Sequence, residues 1–289
     1  MVVKTVGLLS PGDMGHAVGA VLVNNGIRVI TCLEGRSSRT RKLAEEAGIQ
    51  DVPAYQDLVR DADIVLSILV PAEAKNAATL VSQALEETGQ KITYADCNAI
   101  APQTVQEIGN IITAAGSNFV DAGIIGGPPG PGVMNRIYIS GQDTEAVEQL
   151  NKYGLDIRAI GPEIGQASGL KMVYAALTKG TSALALELLV AAKRLNLYDA
   201  LIAEWELSQA DRYRSFQRGL QSVPSKAYRW IGEMEEIAKT FGDVGLTPKI
   251  LEGAADMYRF IRGNPVSDET PETIDRNRTL EPLIDKLAK

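Results

Sequence analysis

Over the first 160 or so positions, short runs of apolar residues alternate with stretches in which apolar residues return every three or four. Thr5–Leu9, Ile27–Leu33, Ala62–Val70, Lys91–Cys97 and Asn118–Ala122 have the length and continuity of strands buried on both faces. Between them, 17–26, Ser37–Ala47, Ala72–Glu87 and Pro102–Ala115 read as helices, the first closed by Gly26, and Ile49–Val52 reads as a short edge segment. Arg136–Ser140 and Leu155–Ile160 extend the series. Such alternation predicts an α/β fold with a doubly wound parallel sheet and right-handed crossovers. From about Gly161 the strand signals stop. Gly165–Asn196 reads as one long helix of alanines, leucines and spaced charges, and the remainder is helical. The shift predicts two domains, 1–162 and an all-α 163–289, joined through the long helix. The polar, proline-marked end from Asn264 reads as a loose tail or an arm over a partner.

The first strand runs into Ser10-Pro-Gly-Asp-Met-Gly15 and then a helix, the βαβ context in which a glycine turn holds a dinucleotide pyrophosphate. Gly12 and Gly15 supply two glycines of this Rossmann-type fingerprint, while Ser10 and Pro11 stand where the first glycine and its neighbour would be. The N–H groups of Asp13, Met14 and Gly15 and the helix dipole favour an anion there.

Ligands of such sheets bind at the carboxyl ends of the strands. After the second strand, Glu34 suits the ribose hydroxyls of NAD, whereas Arg36 and Ser37 suit the extra phosphate of NADP and tilt the expectation that way; Arg39 and Arg41 fall on the next helix, as phosphate ligands or as surface charge. Val70-Pro71 is a helix entry or a shelf for the nicotinamide. Asn98 is a turn residue or a partner for the carboxamide. The glycine-rich loop Asp121–Gly132 would let an anionic substrate meet backbone N–H groups, unless it is simply flexible. Lys171 begins an otherwise apolar helix just past the domain junction. Desolvated, it would serve as a general acid/base, with Tyr174 and Thr178 on its face of the helix; the alternative is a lysine snorkelling to water. Lys179 is a second candidate for that role or, more simply, ordinary surface charge.

Composition narrows the field. A net charge of −7 with 36 acidic residues opposes a nucleic-acid surface. A single histidine, His16, leaves no multi-histidine metal site, and Cys32 and Cys97 lie too far apart in sequence for metal-ligand spacing, so no metal is expected. These cysteines, with no leader-like segment before the first strand, suggest a cytoplasmic protein. Glu187 interrupts the apolar helix near 181–192, arguing against a membrane span.

In order along the chain, Ser10–Gly15, Asp121-Ala-Gly-Ile-Ile-Gly-Gly127 and the segment ending Gly-Leu-Lys171-Met-Val-Tyr-Ala175 resemble the glycine motif, substrate loop and catalytic segment of the β-hydroxyacid dehydrogenase and 6-phosphogluconate dehydrogenase superfamily. The helical half, with 171–180 and 228–236, is similar to its branch with a phosphogluconate-dehydrogenase-like C-terminal domain. The resemblance implies NAD(P)-dependent hydride transfer with a β-hydroxy acid or related alcohol, Lys171 as acid/base, substrate held by Ile125, Gly126 and Gly127, and a homodimer through the helical domains. Ile125 replaces the family's serine, Ala175 its asparagine, and Thr178 the glutamate of the 6-phosphogluconate enzyme. These replacements favour a substrate with a more apolar arm. An imine reductase of the same superfamily, in which the lysine is commonly replaced, and a dinucleotide-binding protein without catalysis are the competing readings.

Overall fold

The computed structural model describes residues 2–130, 132–133, 135–270, 273–275 and 277–289. It divides into two units, Met1–Met172 and Val173–Lys289. In the first, β1 (Thr5–Leu9), α1 (Asp13–Asn24), β2 (Arg28–Cys32), α2 (Ser38–Glu46), β3 (Gln50–Val52), α3 (Tyr55–Asp61), β4 (Ile64–Ser67), α4 (Ala74–Thr88), β5 (Thr93–Asp96), α5 (Pro102–Ala114), β6 (Asn118–Ile125), β7 (Arg136–Ser140), α6 (Glu145–Glu148) and β8 (Ile157–Gly161) follow one another. The strands form one sheet in the order β3-β2-β1-β4-β5-β6-β7-β8. The first six give the order 3-2-1-4-5-6 of a Rossmann-type doubly wound sheet, whose strand order reverses between β1 and β4, where such sheets bind dinucleotides.

Two apolar layers explain the continuous apolar strands. Val6, Leu8, Val29, Ile64, Leu66 and Val120 pack with Val18 and Leu22 of α1 on one face. Leu9, Ile30, Val65 and Tyr94 pack with Leu58, Val81, Leu85, Val105 and Ile108 on the other.

Three expectations need correcting. The sheet is not wholly parallel, because β7 runs antiparallel to β6. Among the described residues the connection between them carries no helix, and an antiparallel neighbour needs no crossover. A helix, α3, occupies the segment before β4, burying Leu58 and Val59. The C-terminal end, finally, is not a loose tail. After α7 (Gln166–Arg194), α8 (Tyr198–Ser208), α9 (Ala210–Gly219), α10 (Ala227–Asp243) and α11 (Lys249–Arg262), the chain ends in α12 (Leu280–Ala288). Leu280, Leu283, Ile284 and Leu287 recur at helical spacing and are buried. Lys193 clamps α12 through Glu281 at 2.6 Å and Asp285 at 2.9 Å. Pro271, Glu272 and Arg276 of that end, and Pro131 and Met134 of the glycine-rich loop, lie outside the described residues.

Helix α7 has 29 residues and, by length and composition, could cross a membrane despite Glu187, so the sequence argument from charge does not hold. One face of the helix is packed, with Ala183, Leu186, Leu189 and Val190 buried against protein.

Candidate active site

The turn after β1 is shaped by what replaces the missing glycine. Ser10 adopts φ +59°, the left-handed conformation a glycine would take without penalty. The Gly12 N–H donates to the Ser10 carbonyl at 2.7 Å, closing a tight turn around Pro11. Helix α1 then begins at Asp13, so the N–H groups of Asp13, Met14 and Gly15 lie in its first turn, without intrahelical acceptors. A Cβ on Gly15 would stand 2.8 Å from the Ser10 carbonyl oxygen, whereas one on Gly12 would meet nothing within 4 Å. One glycine therefore lets helix and turn touch, and the other leaves open backbone for a phosphate. Neighbours brace the turn: Arg39 pairs with Asp13 at 2.6 Å, His16 Nδ1 donates to the Gly12 carbonyl at 2.8 Å, and the buried Asn135 donates to Met14 Sδ at 3.4 Å.

After β2, Glu34 is exposed and Arg36 half-exposed. The Ser37 hydroxyl accepts the Thr40 N–H at 3.2 Å and caps α2. Arg41 donates to the Leu33 carbonyl, so of the basic residues here Arg36 is the one in the loop without an ion-pair partner among the described residues. Val70 is exposed and Pro71 opens a single 3-10 turn leading to α4.

Asn98 is buried, its Oδ1 accepts the Leu69 N–H at 2.5 Å, and its Nδ2 donates to Ser67 Oγ at 2.9 Å and Asp96 Oδ2 at 3.0 Å. Its amide therefore fixes the loop after β4, the first of the two roles expected of it. Ile125 ends β6 with its side chain buried, and Gly126, at φ +117°, and Gly127 follow it exposed.

Sequence reasoning did not pick out the row of polar residues beneath Lys171. Ser67, Asp96, Asp121 and Ser140 are register partners across β4, β5, β6 and β7, and all four are fully buried. The Asp121 carboxylate accepts hydrogen bonds from Ser140 Oγ at 3.1 Å, the Gly165 N–H at 2.9 Å, the Ser168 N–H at 3.0 Å and Ser168 Oγ at 2.5 Å. It thereby binds the first turn of α7 to the sheet. Ala167 O of that turn and Lys171 Cβ one turn further on would lie 2.7 and 3.1 Å from any Cβ on Gly123 of β6. Only glycine permits that approach, so Lys171 is delivered half-buried onto the carboxyl-end half of β6. A single polar position repeating across four strands was the available signal, visible once the strands are aligned.

Burial pushes the Asp96 carboxyl up to about 7, the Asp121 charge adding to the effect and the Asn98 hydrogen bonds and Lys171 charge opposing it. Burial likewise raises Asp121, against its four donors. Because the folded state holds the Asp96 proton more tightly than the unfolded chain, the stability this group contributes is fully present below about pH 4 and is lost as pH rises through about 7. An Asp96→Asn variant is expected to gain melting temperature relative to wild type across that window; parallel curves would show that Asp96 does not titrate there. Burial raises both free cysteines, Cys32 and Cys97, which leaves them unreactive.

Tyr174 and Thr178 follow Lys171 by three and seven residues on α7 and belong to the second unit. Tyr174 is exposed, and the Thr178 hydroxyl donates back to the Ala175 carbonyl at 3.3 Å. Lys179 is not surface charge: it is half-buried and paired with Glu233 at 2.7 Å.

Residues 5–157 match the NAD binding domain of 6-phosphogluconate dehydrogenase, and residues 192–261 match a domain of unknown function, DUF1932. An uncharacterized 28.5 kDa protein of Methanothermus fervidus is 29% identical over 258 residues, covering 89% of this chain and 98% of that protein. Among solved structures, a conserved protein of unknown function described as structurally similar to 3-hydroxyacid dehydrogenases is 32% identical, with a TM-score of 0.67 over 89% of this chain and 98% of that one. A 3-hydroxyisobutyrate dehydrogenase of Mycobacterium tuberculosis, solved with L-serine, shares the fold at 16% identity and TM-score 0.66 over 90% of this chain and 93% of its own. With more than half its length matched by one domain model and a 32%-identical relative covered almost end to end, the chain belongs to the family built on the 6-phosphogluconate dehydrogenase NAD-binding domain and has the 3-hydroxyacid dehydrogenase-like fold.

Proposed function

We propose that the protein is an NAD(P)-dependent oxidoreductase that moves a hydride between nicotinamide and a β-hydroxy acid or related alcohol, with Lys171 as general acid/base. The observation carrying this reading is the placement of Lys171: Gly123 and Asp121 bring it onto the sheet in a chain whose first half is an NAD-binding domain. A lysine there can take the hydroxyl proton as hydride leaves the same carbon, and return it in the reverse direction. The pyrophosphate falls to residues 10–15, and the Gly126–Gly127 backbone is open to a substrate carboxylate. Arg36, without an ion-pair partner among the described residues, favours NADP over NAD. The cofactor, when bound, supplies the two-electron acceptor; the chain supplies position and proton.

A panel of β-hydroxy acids and cyclic imines with each dinucleotide, followed by the absorbance of reduced nicotinamide, tests this. Turnover is expected with NADP and with acids carrying an apolar arm. Tight dinucleotide binding with no turnover on any member would leave a binding protein instead, and turnover confined to cyclic imines would make it an imine reductase.

The same proposal includes a homodimer of a cytoplasmic protein. Val173, Leu177, Leu184 and Leu188 form an exposed apolar stripe along α7, continued by Leu195 just past its end, and Leu177 is 70% exposed. Sedimentation at micromolar concentration is expected to give twice the chain mass, and Leu177→Glu to halve it; a wild-type monomer would remove the dimer.

A further inference from the structure

The helical unit holds a concentration of charge that the proposed hydride chemistry does not use. Lys226 precedes α10, and Arg229 and Glu233 follow on its first turns, while Lys179 of α7 reaches the same carboxylate. Glu233 is buried, and both its oxygens are engaged: Oε1 by Arg229 Nε at 3.1 Å and Oε2 by Lys179 Nζ at 2.7 Å. One carboxylate thus pairs with two cations. The Lys226 ammonium donates to Ser222 Oγ at 2.9 Å and lies 5.8 Å from the centre of the Trp230 ring, with no carboxylate in ion-pair reach among the described residues. Lys179 stands 5.6 Å from the same ring.

This arrangement is fixed in advance. Trp230 packs edge-on against Tyr258 at 5.3 Å, and the Tyr258 hydroxyl donates to the Lys179 carbonyl at 2.7 Å. Burial, and after it the Arg229 charge, push the Lys226 ammonium below its ordinary range. A chain with seven more acidic than basic residues has ample carboxylates to neutralise such a cluster, yet this one keeps a half-buried surplus of positive charge. A surplus of that kind is relieved by an anion with oxygens for both a guanidinium and an ammonium.

We propose that Lys226 and Arg229 form a binding site for the carboxylate or phosphate group of an acidic small molecule, held within the helical unit and distinct from the dinucleotide turn. The site stands independently of the hydride-transfer reading, because none of its residues takes part in that chemistry.

Trp230 is a built-in reporter, since the chain has only one other tryptophan, Trp205. In a Trp205→Phe background, checked for folding by circular dichroism, the protein is titrated with inorganic phosphate and separately with malonate, against chloride at equal ionic strength. A saturable change in Trp230 emission is expected in one arm or both, the stronger identifying the preferred group. Lys226→Met and Arg229→Met should each weaken it at least about tenfold, the scale of one charge-assisted hydrogen bond. A response that rises linearly, equals that of chloride, or survives both substitutions would overturn the site. The readout needs neither dinucleotide nor turnover, so its failure leaves the hydride assignment standing, and failure of that assignment leaves this site testable.

Discussion

Replacing Lys171 with methionine is expected to lower hydride transfer at least about a hundredfold while dinucleotide affinity stays at the wild-type value. Methionine keeps an unbranched apolar stem of similar length, so the close packing over Gly123 survives and the loss falls on the ammonium group alone. The dinucleotide turn is secured by its own contacts, among them Gly12 N–H to Ser10, Arg39 to Asp13 and His16 to Gly12, none of which involves Lys171. Removing the positive charge also removes one of the influences that hold the Asp96 carboxyl down, so the apparent pKa of that group should rise further in the variant. Steady-state turnover with a responsive hydroxy acid reads the first effect. Thermal shift reads the second, because dinucleotide at a hundred times its Kd should stabilise wild type and variant equally, by about 2.7 kcal/mol. An active Lys171→Met enzyme would make the lysine structural and remove the proposed mechanism.

The parts legible in the sequence were those written as contiguous pattern. Strands buried on both faces show as apolar runs, and a glycine turn between strand and helix shows as a motif, so the doubly wound sheet and the Ser10–Gly15 turn were readable. Antiparallel β7 was not, because apolar runs carry no direction. Helix α12 was hidden by the polar, proline-marked residues before it, although Leu280, Leu283, Ile284 and Leu287 have helical spacing. Asn98 illustrates the limit of residue chemistry: an amide at a strand end suits a ligand and a loop equally, and only the positions of Ser67, Asp96 and Leu69 decide between them. The Asp121 cluster joins residues 121, 140, 165 and 168, which nothing in linear order connects.

Asp121→Ala is expected to lower stability by about 3 kcal/mol and, separately, to reduce turnover with Lys171 still in place. The carboxylate is fully buried and satisfies two backbone N–H groups and two hydroxyls. Alanine accepts nothing, and each donor stranded in the interior costs about 1–3 kcal/mol unless water reaches it. The serines can rotate to other acceptors, but the Gly165 and Ser168 N–H groups cannot, so the lower part of that sum survives relaxation. For a chain of this size, 3 kcal/mol corresponds to a fall in melting temperature of roughly 6–12 °C. The loss of turnover has a different origin. Asp121 holds the first turn of α7, and Lys171 sits one turn later over Gly123, so releasing that turn lets the ammonium drift from the place where the hydroxyl must lie. Measured well below the melting temperature, kcat should fall while the Kd for dinucleotide is unchanged, since residues 10–15 touch none of this cluster. Asp121→Asn supplies the contrast: it keeps the shape and one acceptor oxygen, and should recover part of the lost melting temperature and part of kcat together. If turnover in Asp121→Ala equals wild type at low temperature, the anchoring of α7 matters to the fold alone, and the position of Lys171 must be set by other contacts.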